Sequence, residues 1–141
     1  MKKLIVILLA AVAVVSAGFS AFAAGGKPEV KVIAYYFHGT FRCYTCTTME
    51  KYSKEAIETS FRDALASGKL EFKAVNVEDR GNEHFVNDYQ IYTKTLILSL
   101  VKDGKEIKSK NLDKIWEYVR NKQRFSDYVI EEVGSFLKEA Q

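Results

Sequence analysis

Apolar and polar positions along the chain change period several times, and each change marks a predicted element. Glu29 to Phe37 (EVKVIAYYF) is rich in β-branched and aromatic residues and reads as a buried first strand. His38-Gly39-Thr40-Phe41-Arg42 is a loop punctuated by glycine. From Cys43 to Ala66 the spacing becomes helical. Met49, Tyr52, Ala56, Phe61, Ala64 and Leu65 form the apolar stripe, with Glu50, Lys51, Lys54, Glu55, Glu58 and Arg62 on the opposite, solvated face. Ser67-Gly68 ends that helix. Leu70 to Val77 alternates as a second strand, and Asn82 to Gln90 is a weaker helical stretch. Thr95 to Val101 (TLILSLV) is nearly all apolar and reads as a central strand. Lys102-Asp103-Gly104-Lys105 is a hairpin turn leading into an edge strand, Glu106 to Lys110. Asn111 is placed to cap a helix holding Leu112, Ile115, Trp116 and Val119, with Trp116 expected to serve packing. Phe125, Tyr128, Val129, Val133, Phe136 and Leu137 mark a final amphipathic helix.

The resulting order is β-α-β-α-β-β-α-α. One strand–helix–strand unit followed by a hairpin predicts an α/β fold, with a mixed sheet of about four strands and helices on both faces. Residues 29–141 form that domain.

Ahead of it, Lys2 and Lys3, an apolar run from Leu4 to Val15 and Ala21-Phe22-Ala23 have the layout of an export signal over residues 1–23. The alternative is a retained membrane anchor, since residues 4–24 approach the roughly 20 apolar residues that span a bilayer. Residues 24–28 are a short linker containing the only proline. A periplasmic or extracellular location is therefore expected.

The full chain of 141 residues carries a formal charge of +3, and loss of Lys2 and Lys3 with the signal leaves +1. Near-neutral, interspersed charge gives no electrostatic case for nucleic acid. Lys105, Lys108 and Lys110 read as a solvated edge strand protected from edge-to-edge pairing.

The two cysteines in the chain, Cys43 and Cys46, stand at the start of the first helix. A helix N-terminus offers unpaired N–H groups and partial positive charge, and both favour a thiolate. A thiolate at residue 43 is a nucleophile for disulfide exchange, and a thiol one turn later can resolve the mixed disulfide. A structural staple is the competing reading in an oxidising compartment. So short a loop constrains the unfolded chain little, however, which favours redox chemistry. Arg42, just before Cys43, is expected to favour its thiolate, and Cys46 is expected to be buried and less acidic. Tyr44-Thr45 place no cation between the sulfurs, so the pair is expected to be less oxidising than the strong periplasmic oxidants.

No cofactor is expected, and the expected partner is a protein thiol or disulfide. A four-ligand zinc site would need Cys43, Cys46, His38 and His84 to converge. A copper(I) carrier would need only Cys43, Cys46 and His38. Thr47 after Cys46 excludes a c-type haem motif. Of Tyr35, Tyr36, Phe37 and Phe41, two are expected in the core, and all four are candidates for a partner-binding patch.

The strand Val32–Phe37 leading to Cys43-x-x-Cys46 at a helix start resembles the thioredoxin superfamily, across nearly all of residues 29–141. More narrowly, YYFHGTFRCYTC, KDGKE and the NLDKIWEYV segment resemble the family of thioredoxin-like nitrophenyl compound nitroreductase subunits of ArsF type, which are exported. The superfamily resemblance implies that Cys43 attacks and Cys46 resolves. It departs from the pattern in three places. Ile91 to Leu96 holds no proline before the third strand, Phe41-Arg42 stands where a tryptophan often precedes the first cysteine, and no aspartate lies in the first strand. Nothing in the chain provides a Gly-rich dinucleotide fingerprint for nitro reduction. A non-catalytic interaction subunit is the remaining alternative.

Overall fold

Val30–His38 forms β1 and lies inside the sheet, where its β-branched and aromatic side chains meet cover on both faces. These observations come from a computed structural model that describes residues 29–141. The expected signal (1–23) and linker (24–28) lie outside the described residues.

β1 pairs in parallel with β2 (Leu70–Asn76) and antiparallel with β3 (Thr95–Lys102), and β3 pairs antiparallel with β4 (Lys105–Asn111). The sheet order is β2-β1-β3-β4, so the apolar β3 run is central and the lysine-bearing strand is an edge, as expected. Asp103 and Gly104 both take positive φ (50° and 78°), the two-residue turn that Asp-Gly favours.

Five helical segments complete the fold: α1 (Tyr44–Ser60), α2 (Arg62–Ala66), α3 (His84–Asp88), α4 (Ile115–Tyr118) and α5 (Lys122–Glu139). On one face, Val32, Ala34 and Tyr36 of β1 join Leu96, Leu98 and Leu100 of β3. They pack with Met49, Ala56 and Ile57 of α1 and Phe125, Val129, Val133 and Phe136 of α5. On the other face, α3 lays Phe85 and the adjoining Tyr89 against Phe37, with ring centroids 5.0 and 5.5 Å away. Helices therefore cover both faces. Among the described residues, no helix is long and apolar enough to cross a membrane.

Three local expectations are corrected. The helix expected over Cys43–Ala66 breaks at Phe61 (φ −128°, ψ 38°), a turn that lets Phe61, Ala64 and Leu65 all pack against the core. Asn111 does not cap a helix. It ends β4, where its side-chain oxygen accepts the Thr95 hydroxyl, and Leu112 N–H continues the sheet pairing to the Leu96 carbonyl at 2.8 Å. The cap that forms is Asn121, whose side chain accepts the Arg124 N–H at 3.0 Å and starts α5. Trp116 is 38% exposed and donates its indole N–H to the Lys94 carbonyl at 2.9 Å, bracing the 91–94 loop. Lys108 and Lys110 stand on the solvated edge strand as expected, and their ammonium groups reach α5 to pair with Glu139 and Glu132, each at 2.7 Å.

Candidate functional site

β1 ends at the carboxyl edge of the sheet, and the 39–42 loop carries the chain from there to the head of α1. Cys43 is the N-cap of that helix, in extended conformation (φ −81°, ψ 162°). Its sulfur accepts the Cys46 backbone N–H at 3.1 Å, one of the orphan donors of a helix start. The two sulfurs form a disulfide, with the Cα atoms 5.0 Å apart. Their exposure differs. Cys43 is half-buried, whereas Cys46 is 2% exposed.

Beneath Cys46, the fully buried Tyr36 of β1 donates its hydroxyl to the Cys46 carbonyl at 2.7 Å. Burial, with the charge of Glu50 adding to it and that of Arg42 opposing it, drives this phenol well above its ordinary pKa. Tyr36 therefore stays protonated and keeps donating.

Arg42 has different partners from those the sequence led us to expect. Its guanidinium pairs with the Glu50 carboxylate and lies 3.3 Å from His38 Nε2. Its Nε–H is buried without a partner. Glu50, expected on the solvated face of the helix, is half-buried in this ion pair. A guanidinium can only donate, so His38 Nε2 accepts and the imidazole proton sits on Nδ1, donating to the Gly39 carbonyl at 2.9 Å. Both His38 nitrogens are thus engaged. His84, on α3, pairs with Asp88 at 2.7 Å. Among the described residues, no group of three or more His, Cys, Asp or Glu side chains is arranged to hold a metal ion.

The loop before Cys43 is held from the last residue of β2 and the turn that follows it. Glu78 accepts the Thr40 N–H at 3.1 Å, and Asn76 donates to the Thr40 hydroxyl at 3.1 Å. The Thr40 hydrogen bonds, helped by the charge of Lys94, hold the Glu78 carboxyl below its ordinary range. Gly39 makes this approach possible, because a Cβ there would lie 2.5 Å from a Glu78 carboxylate oxygen.

Tyr36 and Phe37 are core residues and Tyr35 is partly buried, which matches the division expected of the aromatic run. Phe41 is 77% exposed. Tyr44 beside it and Tyr92 on the 91–94 loop are 86% and 92% exposed. A shallow groove of about 160 Å³ separates that loop from His38, Gly39 and Glu78. Sequence reasoning offered Tyr36 only as a core or patch residue, weighed Glu50 as a general base but favoured a solvated role, and missed Glu78 altogether. Only Glu50 left a signal, the four-residue spacing from Cys46 that puts both on one helix face.

Parallel β1–β2 joined through a helix, the antiparallel β3–β4 hairpin and a terminal helix make this a thioredoxin-like α/β fold, with a Cys-x-x-Cys disulfide at the head of its first helix. Neither a protein-family model nor a curated protein sequence matches the chain. Among solved structures, a thioredoxin from Fasciola hepatica is similar at 22% identity and a TM-score of 0.37, over 64% of this chain and 79% of that one. An oxidised thioredoxin from Plasmodium falciparum is similar at 14% and 0.40, over 68% and 82%. Thioredoxin f2 from Chlamydomonas reinhardtii is similar at 14% and 0.33, over 66% and 80%. Likeness at this level transfers no residue role, so the chemistry has to be argued from the site itself.

Proposed function

We propose that this protein carries out thiol–disulfide exchange or dithiol electron transfer with a protein partner through Cys43 and Cys46. The observation that carries the reading is the unequal placement of the two sulfurs. Cys43 caps α1 with its sulfur and is partly open to solvent, while Cys46 is enclosed. In the reducing direction, the Cys43 thiolate attacks a partner disulfide and forms a mixed disulfide, displacing one partner thiolate. Cys46 then attacks Cys43, releasing the second partner thiolate and leaving the Cys43–Cys46 bond. Two electrons pass to the partner, and no cofactor enters.

The export reading of residues 1–23 belongs to this proposal and places the exchange in the periplasm or outside the cell. So does the narrower resemblance to thioredoxin-like nitroreductase subunits of ArsF type, which we extend to fold and location only.

Alkylation gel shifts of the purified protein, with and without reductant, test the cycle. A Cys46→Ala variant expressed in its host should accumulate mixed disulfides identifiable by mass spectrometry. A pair that never changes state, together with no adducts, overturns the reading. A glutathione redox titration is expected to place the potential well below the strong-oxidant value of about −120 mV.

A further inference from the structure

We propose that the open edge of β2 joins a second copy of this chain, strand to strand, in an antiparallel register centred on Phe72. The inference is independent of the exchange chemistry at Cys43.

The sheet has two edges, and they are built differently. Strand β4 carries lysines at 105, 108 and 110 and a register shift beside Leu100 and Val101, devices that keep an edge from pairing. Strand β2 (LEFKAVN) has no proline, and its register with β1 runs unbroken from Leu70 to Asn76. Its one lysine, Lys73, is neutralised by Glu71 at 2.9 Å. An edge of this kind is a template for a further strand.

The pairing with β1 decides which groups face out. Val32 N–H donates to the Lys69 carbonyl and Val77 N–H to the His38 carbonyl, both at 2.9 Å. In a parallel ladder the N–H and C=O of one residue point to the same side, and successive residues alternate. Residues 71, 73 and 75 therefore turn inward to β1, while Leu70, Phe72 and Ala74 turn their backbone groups outward. Among the described residues, nothing pairs with those outward groups. Asn76, the next outward residue, already accepts the Asp79 N–H at 3.2 Å and the Asn82 side-chain amide at 3.0 Å.

One register with a copy satisfies both backbone and charge. Centred on Phe72, it sets Phe72 against the copy's Phe72 and Leu70 against the copy's Ala74 in hydrogen-bonded positions, so every outward group is used. Glu71 then faces the copy's Lys73 in the closer, non-hydrogen-bonded position, twice about the two-fold axis. Together with the Glu71–Lys73 contact inside each chain, four charges alternate in sign around a square. Sliding to the next bonded register in either direction sets Glu71 against Glu71 or Lys73 against Lys73, which like-charge repulsion penalises. On the opposite face, Phe72 is only partly buried and Ala74 is exposed, so pairing adds apolar cover as well. Two four-stranded sheets become one continuous sheet, and the carboxyl ends of the two β1 strands, each leading to a Cys43, point in opposite directions.

Sedimentation equilibrium of the purified protein should show a concentration-dependent dimer, with the Phe72 and Ala74 amides gaining protection from hydrogen exchange as it forms. K73E sets a glutamate against Glu71, which Lys31 still holds within the chain at 2.6 Å, and is expected to weaken the dimer about tenfold or more. The double variant E71K/K73E exchanges the signs and should recover most of that loss. A74P removes an outward N–H that the fold does not use, and should also weaken the dimer about tenfold or more. A wild type that stays monomeric up to about 1 mM protein overturns the proposal. A dimer that K73E and A74P leave intact does so too, the result expected if another surface joins the copies. A monomer whose Phe72 and Ala74 amides are already protected has the edge taken by its own chain, and equally overturns it. An E71K/K73E dimer no tighter than that of K73E overturns the register. A melting transition checks that each variant is folded, and should A74P fail to fold, the charge exchange carries the test alone.

Discussion

The sulfur of Cys43 accepts the backbone N–H of Cys46, so the atom that caps α1 is also the atom expected to react. In the reduced protein the same N–H and the positive end of the helix both face a thiolate. Cys43 should therefore titrate below the usual cysteine value of about 8.5. Iodoacetamide alkylation followed by mass spectrometry across pH 5 to 10 should find Cys43 modified first and Cys46 protected. Equal modification of both, or a midpoint at or above the usual value, would contradict this.

Glu78 contributes an acid-sensitive part of the stability. Its carboxyl is held below the ordinary range by Thr40, so the ionised form stabilises the fold at pH values above the unfolded value of about 4.3. That contribution disappears as pH falls through the lowered native value. Urea midpoints of wild type and Glu78→Gln should differ at pH 7 and draw together as pH falls below the ordinary carboxylate range. A gap that stays constant with pH would show that the bond to Thr40 has no ionic part.

Tyr36→Phe removes one buried hydroxyl and leaves the ring in place. Loss of its bond to the Cys46 carbonyl should cost about 1 kcal/mol, read as a lower urea midpoint with an unchanged slope. A changed slope would instead report a wider loss of packing around β1.

Asn121→Ala should cost about 1 kcal/mol by uncapping α5. The helix it starts buries Phe125, Val129, Val133 and Phe136, so the loss should appear as a lower melting temperature of the whole domain. An unchanged melting temperature would mean that the packing of α5 holds it without its cap.

Features governed by neighbours in sequence were the legible ones. Strand β1, the Asp103-Gly104 turn and the cysteines at a helix start each follow from a handful of adjacent residues. The α1 break was hidden because Phe61, Ala64 and Leu65 fit a continuous helical stripe, and only the position of the core decides that the chain turns there. Asn111 and Asn121 both sit ahead of apolar residues. The sheet claims Asn111 because its neighbour Leu112 bonds Leu96, a contact 16 residues distant. Within the site, the sulfurs were legible and their surroundings were not. The hold of Glu78 on Thr40 spans 38 residues and leaves no local pattern. Arg42 looked like a companion for Cys43 by adjacency, yet its guanidinium turns to a carboxylate eight residues on.

Of the two cysteines, only Cys43 is partly open to solvent. On the exchange reading proposed here, the first covalent link a partner makes is to residue 43, and the enclosed Cys46 finishes what its neighbour has started. The order of bond making is thus built into the architecture, giving the exchange a fixed sequence even when electrons run in reverse.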